Sequence, residues 1–403
     1  MSFQYLSRLE NALRQHDEWR LNECLNMIAS ENFSSPQVRG MLVTDFGNRY
    51  TAPDKFYRGA KFMDEVQVLA EDVARKVFNA RFADVRPISG HTADMAVLMT
   101  LVGRGDTILS VNVDDGGYPG ISHLGLGKIL GLKNVYFPYD KRAVNIDAKE
   151  TKRLLGIEEP QLIVFGSSFI PFPHPVREVS SMARESLCIY DGSHVMGLLA
   201  GGEFQDPLRE GCSLLIGSTH KSLAGPQGGL ILGNNEKVFS KVTTQVHPGI
   251  VDNIHWNRVA ALAVALMEML QFGKSYAQAV VKNSQELGKR LVENGVSVRG
   301  ASGGYSKSHQ VLLDYDRAKC LLYAKRLEDS NIIVDNWCRV GTAEATRMGM
   351  GPEQMSDVAE LMAAAILGKK PSDFIKKKVK SLVKDYKSPK FVLRSVAEKR
   401  SRD

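Results

Sequence analysis

The chain has 403 residues, of which 43% are hydrophobic and 24% charged, and its formal net charge is +7, which is the balance of a globular protein long enough for two domains. No apolar run approaches the roughly 18 residues of a membrane span, and the mixed, charged N-terminus lacks the apolar core of a secretion signal. The five cysteines are scattered without a CxxC pair, so we expect a cytoplasmic protein with neither a disulfide framework nor a metal site.

The N-terminal part of the chain is predicted to contain two helices. Residues 1–29 have apolar side chains at helical spacing, namely Leu9, Leu13, Leu21, Cys24 and Leu25. After the turn-rich segment "GNRYTAPDKFYRGAK", spacings of three and four residues predict a second helix with Val66, Leu69, Val73 and Val77 on one face.

Short apolar runs alternate with helical stretches from about residue 85 to residue 235. Five runs are continuous and bounded by Gly, Ser or Asp: "DTILSVNV", "QLIVFGSS", "SLCIYDGS", "SLLIGSTH" and "GGLILGN". Strands buried on both faces have this pattern, so we predict a mostly parallel sheet in an α/β domain. Long helices are predicted over 253–295, and "HQVLLDYD" is predicted as a strand of a smaller α+β domain. We divide the chain into an N-terminal helical arm (1–42), a large domain (43–272) and a small C-terminal domain with a basic tail (273–403).

The positive charge is concentrated in the tail. Residues 369–403 hold 13 Lys and Arg residues against 4 Asp and Glu residues, a net charge of +9 that leaves −2 for the rest of the chain. A nucleic-acid or membrane-binding role is one interpretation of such a segment. The helical spacing of Phe374, Val379, Leu382 and Val383 favours the other interpretation, a solvated helix, and we expect no nucleic-acid or membrane partner.

Four of the predicted strands are followed by polar residues. These ends are Asp114–Gly117, Ser167–Ser168, Asp191–His194 and Ser218–Lys221. Ligands of open α/β sheets bind beyond the carboxyl ends of the strands, so we expect a binding site there.

Lys221 and Asp191 have the clearest chemistry of this set. Lys221 lies among small residues in "GSTHKSLAGPQGG", which leaves room for a flat ring beside a Schiff-base-forming amine. The alternative is a loop lysine that reaches solvent. Asp191 follows a buried run and suits the protonated pyridine nitrogen of pyridoxal phosphate, whereas the alternative is a helix N-cap. A strand-end Asp followed by a strand-end Lys favours the cofactor.

Two other segments suit the remaining parts of a bound cofactor and substrate. In "ISGHTADMAVLMTL", Ser89, Gly90 and His91 precede an apolar helix, where free N–H groups suit a phosphate; a plain Ser/Thr cap is the alternative. Arg339 in "NWCRVGTAEATRMGM" suits an α-carboxylate, which arginine binds through two hydrogen bonds; a surface ion pair is the alternative.

Several segments resemble the serine hydroxymethyltransferase family. They are "IASENF", "GNRY", "ISGHTADMAV", "YDGSHVMGLLAG" and "STHKSLAGPQGGLIL", while "FIPFPHPV", "FQDPLREG" and "GPQGG" resemble its archaeal branch. The likeness runs in the same order from about residue 20 to residue 365. It implies a fold-type I, aspartate aminotransferase-like enzyme that depends on pyridoxal 5'-phosphate and forms a homodimer with its sites at the subunit interface.

The resemblance also implies roles for individual residues. Lys221 would be the Schiff-base lysine, Asp191 would bind the pyridine nitrogen, and His220 would assist proton transfer. Ser30 and Arg339 would bind the substrate carboxylate. The phosphate would contact Ser89, Gly90 and His91, the ring and its phenolic oxygen would contact Tyr118, Ser168 and His194, and the active-site tyrosines Tyr50 and Tyr57 would reach in from the partner subunit.

Three departures from the family pattern bear on the second substrate and the ring. In "RYTAPDKFYRG", Ala52 stands where the family has a glutamate that is an acid/base group and a pterin contact, and Asp54 is the nearby candidate substitute. "NIIVDNWCRVGT" lacks the family's long loop and has Asn336 and Trp337 in its place. Tyr118 replaces a histidine that stacks on the ring, which keeps an aromatic face.

The sequence therefore predicts a hydroxymethyltransferase of amino-acid and one-carbon metabolism. It would interconvert serine and glycine by Cα–Cβ cleavage, with tetrahydrofolate or a tetrahydromethanopterin-type carrier. The alternative is a pterin-independent aldolase, or a racemase, that acts on β-hydroxy amino acids. A third interpretation, a non-catalytic nucleic-acid binder, is disfavoured because Lys221, Asp191 and Arg339 are retained.

Overall fold

The computed structural model describes residues 2–51 and 57–394. The chain divides into two compact units. The large unit consists of Ser34–Gln278 and the chain from Phe391 onward, and the small unit joins the residues up to Phe33 with Ala279–Lys390.

The strands of the described residues are short. In chain order they are β1 (Leu25–Asn26), β2 (Phe82–Asp84), β3 (Thr107–Ser110), β4 (Lys133–Tyr136), β5 (Tyr139–Asp140), β6 (Asn145–Ile146), β7 (Leu162–Phe165), β8 (Leu187–Asp191), β9 (Leu214–Ser218), β10 (Gly229–Gly233), β11 (Gln310–Leu312), β12 (Ile332–Ile333) and β13 (Arg339–Gly341).

The helices vary from one turn to more than ten. They are α1 (Ser2–Asn22), α2 (Pro36–Leu42), α3 (Lys61–Phe78), α4 (Gly90–Leu101), α5 (Leu126–Ile129), α6 (Ala148–Glu158), α7 (Val176–Met182), α8 (Met196–Ala200), α9 (Glu236–Thr244), α10 (Trp256–Glu293), α11 (Arg317–Glu328), α12 (Ala343–Arg347), α13 (Pro352–Ile366) and α14 (Ser372–Val383). Within the described ranges, none combines the length and apolar character needed to cross a bilayer.

A seven-stranded sheet forms the centre of the large unit, in the order β2-β10-β9-β8-β7-β3-β4. The strands from β9 to β4 are parallel, whereas β10 is antiparallel to both of its neighbours. Every residue of β3, β7, β9 and β10 is buried, which explains why these runs are continuously apolar. The predicted mostly parallel sheet is confirmed, and β10 is reversed because it forms a hairpin with β9.

Two small strand pairs lie in the small unit. Leu25 of β1 pairs in parallel with Ile332 of β12, and β11 pairs antiparallel with β13. Their core combines side chains from both ends of the sequence, such as Met27, Val340 and Met362. The strand predicted from "HQVLLDYD" is β11, and the helices predicted over 253–295 are the single helix α10, within which the boundary between the units falls.

The N-terminal helix is shorter and more exposed than predicted. It ends at Asn22, and Leu25 belongs to β1 because its backbone pairs with Ile332. None of the residues of α1 is buried, and Leu9 and Leu13 are each 57% exposed. The predicted apolar stripe is therefore an outer surface of this chain.

One prediction about the cysteines is wrong. Cys320 on α11 and Cys338, which directly precedes β13, form a disulfide with their Cα atoms 5.1 Å apart. The two residues are 18 positions apart without a recognised spacing, and only their packing in the core of the small unit brings them together. The free cysteines Cys24, Cys188 and Cys212 are buried.

The basic tail includes α14, which packs one face on the small unit. Ile375, Val379 and Val383 are buried there, as expected of a solvated amphipathic helix. The lysines Lys377, Lys378 and Lys380 are exposed. The helix predicted from the spacing is therefore present. Its buried face includes Ile375, whereas Phe374 is 47% exposed.

Candidate active site

A cavity lies at the carboxyl ends of β7, β8 and β9 in the large unit. Because neighbouring parallel strands end at the same edge of a sheet, the polar residues that follow them meet there. The lining consists of His91, Asp94, Tyr118, Ser167, Ser168, Asp191, Ser193, His194, Ser218 and Lys221.

Asp191 is the last residue of β8 and is half-buried at the cavity. Its Oδ1 accepts a hydrogen bond of 2.9 Å from the backbone N–H of Ser193, which fixes the carboxylate at the strand end. The next helix, α8, has Val195 as its N-cap, so Asp191 does not cap it. Ser193 Oγ also accepts the backbone N–H of Ser218 at 2.9 Å, which ties the end of β8 to the end of β9.

Lys221 lies in the connection of the β9–β10 hairpin. Thr219 N–H donates to the carbonyl oxygen of Gly228 at 3.0 Å, which closes the base of the connection. Ser222 Oγ accepts the N–H of Gly197 on α8 at 3.0 Å, which holds the residue after Lys221. Lys221 is half-buried and borders the cavity.

The N-terminus of α4 lies beside the ends of these strands. Ser89 is its N-cap, and Ser89 Oγ accepts the backbone N–H of Thr92, the third residue of the helix, at 3.0 Å. The N–H groups of Gly90 and His91 belong to the first turn, where a helix has no acceptor of its own. A Cβ at Gly90 would lie 2.3 Å from Ser218 Oγ, so only glycine permits this approach. The geometry suits a phosphate at this helix end.

The end of β7 is held by a buried histidine. Gly166 has a φ of +96°, and a Cβ there would lie 2.0 Å from the carbonyl oxygen of Asp191. Its N–H donates to His174 Nδ1 at 3.3 Å, which leaves the proton on Nε2, 3.5 Å from Ser167 Oγ. Burial lowers the pKa of His174 to about 3, so the ring stays neutral. His174 thus supports the segment that carries Ser168.

Tyr118 and His91 border the cavity together. Tyr118 Oη lies 3.3 Å from His91 Nδ1, and the two rings meet edge to face with their centroids 6.0 Å apart. Burial raises the pKa of Tyr118 to about 12, with Asp94 and Asp191 adding to the shift. Tyr118 is therefore a neutral aromatic side chain at the position where the resemblance predicts a stacking ring.

His194 is buried and lines the cavity. His220, the residue before Lys221, is not part of the cavity lining. Burial lowers the pKa of His220 to about 4, and the charge of Lys221 contributes to the lowering. Among the described residues, His220 Nδ1 has no hydrogen-bond partner. The ring is neutral near pH 7 and has a nitrogen that can accept or relay a proton.

Arg339 and Ser30 lie on neighbouring segments of the small unit. Gly341 N–H donates to the carbonyl oxygen of Met27 at 2.8 Å, which places the turn with Ser30 beside β13. Arg339 is only 9% exposed, and its Nε donates to Asp335 Oδ2 at 2.8 Å. Arg339 thus forms an ion pair, as in the alternative interpretation, but the pair is largely buried.

Tyr50 and Tyr57 are exposed and do not line the cavity. Their ring centroids are 5.3 Å apart. Ala52 and Asp54, on which the prediction about the pterin subsite depends, lie outside the described residues.

Asp94 is a cavity residue that the sequence did not single out. It is 3% exposed and follows His91 by three residues, so the two side chains share one face of α4. Burial raises the pKa of Asp94 well above its ordinary value, Asp191 raises it further, and Lys221 lowers it. The sequence feature that could have identified Asp94 is the presence of an acidic residue in the otherwise apolar run "ADMAVLM".

A wider groove lies in the small unit against α13 and α14. Its lining includes Lys370, Lys378 and the exposed Phe374, but none of the predicted site residues. In the part of the chain that the structure describes, no group of three or more His, Cys, Asp or Glu side chains is arranged to hold a metal ion. We therefore place the chemistry at the smaller cavity, where an amine, a carboxylate and a helix N-terminus meet.

The residues around this cavity fit pyridoxal phosphate. Lys221 offers an amine for the aldehyde, Asp191 a carboxylate for the pyridine nitrogen, and the first turn of α4 N–H groups for the phosphate. Asp191 ends β8 and Lys221 follows the neighbouring strand β9. The absence of a side chain at Gly90 lets the start of α4 approach these strand ends.

Comparisons with known proteins identify the family and the fold of the chain. The family described as serine hydroxymethyltransferase matches residues 7–362. A serine hydroxymethyltransferase from Methanocaldococcus jannaschii is 39% identical, with 93% of this chain and 92% of the relative covered, and one from Methanopyrus kandleri is 37% identical, with 94% and 93% covered. The solved structure of L-threonine transaldolase from Pseudomonas fluorescens has a TM-score of 0.90 at 24% identity and covers 97% of this chain and 94% of its own. This last likeness shows the fold, which is the predicted fold-type I architecture.

Proposed function

The chain belongs to the serine hydroxymethyltransferase family, and from this we infer that it interconverts serine and glycine by cleaving and forming the Cα–Cβ bond. It is a pyridoxal phosphate-dependent enzyme of the transferase and aldolase type. The observation that carries the proposal is the meeting of Lys221, Asp191 and the N-terminus of α4 around one cavity. When bound, pyridoxal phosphate supplies an electron sink for the bond that breaks at Cα.

We propose that the large unit holds the coenzyme. Lys221 would attach its aldehyde carbon covalently, and Asp191 would keep the pyridine nitrogen protonated by pairing with it. The phosphate would bind Ser89 Oγ and the backbone N–H groups of Gly90 and His91. Tyr118 would cover the ring, and Ser168 and His194 would donate hydrogen bonds near the phenolic oxygen.

The amino-acid substrate would be oriented by its carboxylate. Arg339 suits this role because Asp335 holds its Nε, and a guanidinium fixed in this way is oriented before a carboxylate arrives. Ser30, on the segment beside β13, would add a hydrogen bond.

Proton transfer would involve the residues near Lys221 and the two tyrosines. The His220 ring is neutral at pH 7 because its pKa is lowered to about 4, so it would relay a proton beside Lys221 without holding it. Tyr50 and Tyr57 would act in the site of the partner subunit, which is compatible with their exposure in a single chain.

The proposed one-carbon acceptor is a tetrahydropterin, either tetrahydrofolate or a tetrahydromethanopterin-type carrier. We expect conversion of serine to glycine to accelerate when the carrier is added, because capture of the formaldehyde unit draws the cleavage forward. Ala52→Glu, which restores the family's glutamate, should raise the carrier-dependent rate by about 10²-fold through acid/base catalysis. The measurement is glycine formation with and without each carrier.

The alternative enzyme, a pterin-independent aldolase or a racemase of β-hydroxy amino acids, is favoured by the alanine at position 52. L-allo-Threonine cleavage and amino-acid racemisation test it directly. Ala52→Gln is the matched control, since it adds the same bulk without a titratable group. The transferase proposal would be rejected if the wild type and both variants cleaved L-allo-threonine and if the carrier had no effect on their turnover of serine.

We propose that two copies of the chain form a dimer through surfaces that include α1. Leu9 and Leu13 are exposed on a helix that has no buried residue, and burying a leucine contributes about 1.5–3 kcal/mol. The double substitution Leu9→Glu with Leu13→Glu should weaken the dimer by about 10²–10⁴-fold. Molar mass from light scattering measures this, with Ile157→Glu on α6, 77% exposed, as the control. A wild-type protein of monomer mass at micromolar concentration would contradict the dimer.

A cytoplasmic location is the last part of this proposal. The buried free thiols of Cys24, Cys188 and Cys212 support it. The disulfide between Cys320 and Cys338 argues the other way, because such bonds are rare in the cytosol outside hyperthermophiles.

A further inference from the structure

Asp94 brings a second carboxyl group into the cavity that Asp191 and Lys221 border. It is the only acidic residue of α4, and it is 3% exposed. None of the proposed catalytic and binding roles involves Asp94. An apolar or amide side chain would fill the same space, so the presence of a carboxyl group here requires a physical account.

The cavity does not favour two ionised carboxylates. A carboxylate that loses its water is costly unless it is paired, and like charges close together drive one of them to hold a proton. Burial raises the pKa of Asp94, with Asp191 adding to the effect and Lys221 opposing it. Asp191 is the better site for the charge, since it is less buried and accepts the N–H of Ser193.

The neighbours of Asp94 are consistent with a neutral carboxyl group. The other titratable groups that border the cavity are His91 from α4, Tyr118 from the segment after β3, Asp191 and His194 from the end of β8, and Lys221 from the hairpin. Of the residues that line this cavity, Lys221 is the one amine facing two carboxyl groups, so it balances the charge of only one of them.

We propose that Asp94 is a positioning residue that keeps its proton at neutral pH, leaves Asp191 as the carboxylate charge of the cavity and holds that carboxylate for the pyridine nitrogen. The positioning role rests on the proposed function. The protonation state belongs to the protein without coenzyme and is measurable by itself.

The first experiment follows the unfolding equilibrium of the apoprotein from pH 4 to pH 8. An aspartate whose pKa is raised by folding contributes stability that is present below its unfolded pKa, near 4, and is lost as the pH rises toward its folded pKa. The unfolding constant of the wild type should therefore rise, relative to that of Asp94→Asn, by about tenfold per pH unit in this window. Asp252→Asn, at an exposed aspartate of the same unit, should show no such difference. If the unfolding constants of the wild type and Asp94→Asn changed in parallel with pH, the proposal that Asp94 is protonated would be overturned.

The second experiment measures pyridoxal phosphate binding by equilibrium dialysis and records the visible spectrum across pH. Asp94→Asn keeps a neutral hydrogen-bonding group, so its dissociation constant should stay within about threefold of the wild type. Asp94→Leu keeps the branched shape but replaces the polar atoms with bulkier methyl groups, so its affinity should fall about tenfold or more and its spectral pH midpoint should move. Loss of affinity in Asp94→Asn, or wild-type binding in a folded Asp94→Leu, would overturn the positioning role. A wild type that binds no pyridoxal phosphate would overturn that role together with the proposed function, whereas the apoprotein result would stand.

Discussion

Replacing Lys221 with alanine is expected to lower serine turnover by roughly 10³-fold or more, because the amine that attaches the coenzyme and moves the proton is lost. The visible absorption of the lysine-bound coenzyme should disappear from the purified protein. Borohydride reduction of the wild type, followed by peptide mass spectrometry, should find the reduced coenzyme on the peptide that contains Lys221. This outcome follows from the half-buried position of Lys221 at the cavity.

A matched lysine separates this effect from a general loss of charge. Lys237 lies exposed on α9 of the same unit, and Lys237→Ala should leave turnover and the spectrum unchanged. Lys221→Arg keeps the charge but removes the reactive amine, and it should behave like the alanine variant. A coenzyme label on another lysine, or a wild type that stays colourless when coenzyme is added, would contradict the assignment.

Replacing Arg339 with lysine is expected to raise the KM for serine by about 10- to 150-fold with a smaller effect on kcat. A hydrogen bond to a charged group contributes about 1.5–3 kcal/mol, and lysine cannot offer two parallel donors to one carboxylate. Asp335→Asn should raise the KM less, because the guanidinium remains but the carboxylate that orients its Nε is gone. Steady-state kinetics with serine and glycine measure both changes.

The control for Arg339 is another arginine of the small unit. Arg299 is 40% exposed and forms a surface ion pair with Asp314 at 3.4 Å, so Arg299→Lys should have no kinetic effect. An Arg339→Lys variant with an unchanged KM for both amino acids would show that this arginine serves only its pair with Asp335.

The parts of the site that could be predicted from sequence are those that depend on local pattern. Continuous apolar runs ending in Asp, Ser or Gly located the strands, and strand ends in a parallel sheet meet at one edge, so the grouping of Asp191, Ser168 and Lys221 followed. The N-terminus of α4 was predicted in the same way from Ser89 and the apolar run after it.

The parts that could not be predicted depend on tertiary packing. The role of Asp94 follows from its burial and its nearness to Asp191, which no spacing rule reveals. The end of α1 is set by the pairing of Leu25 with Ile332, and the Cys320–Cys338 disulfide by the packing of both cysteines in one core. Each of these contacts joins residues whose local sequence carries no signal for the other.

The pairing of β1 with β12 also has a consequence for biosynthesis. Leu25 and Ile332 are about 300 residues apart, so a nascent chain has its first strand long before the partner strand leaves the ribosome. The large unit is complete in sequence, apart from the segment after Phe391, once Gln278 has been made. The segment that contains α1 and β1 therefore stays unpaired, with its leucines exposed, while the sheet that carries Asp191 and Lys221 forms first. Translation order thus favours assembly of the coenzyme cavity before the strand that carries Arg339 exists.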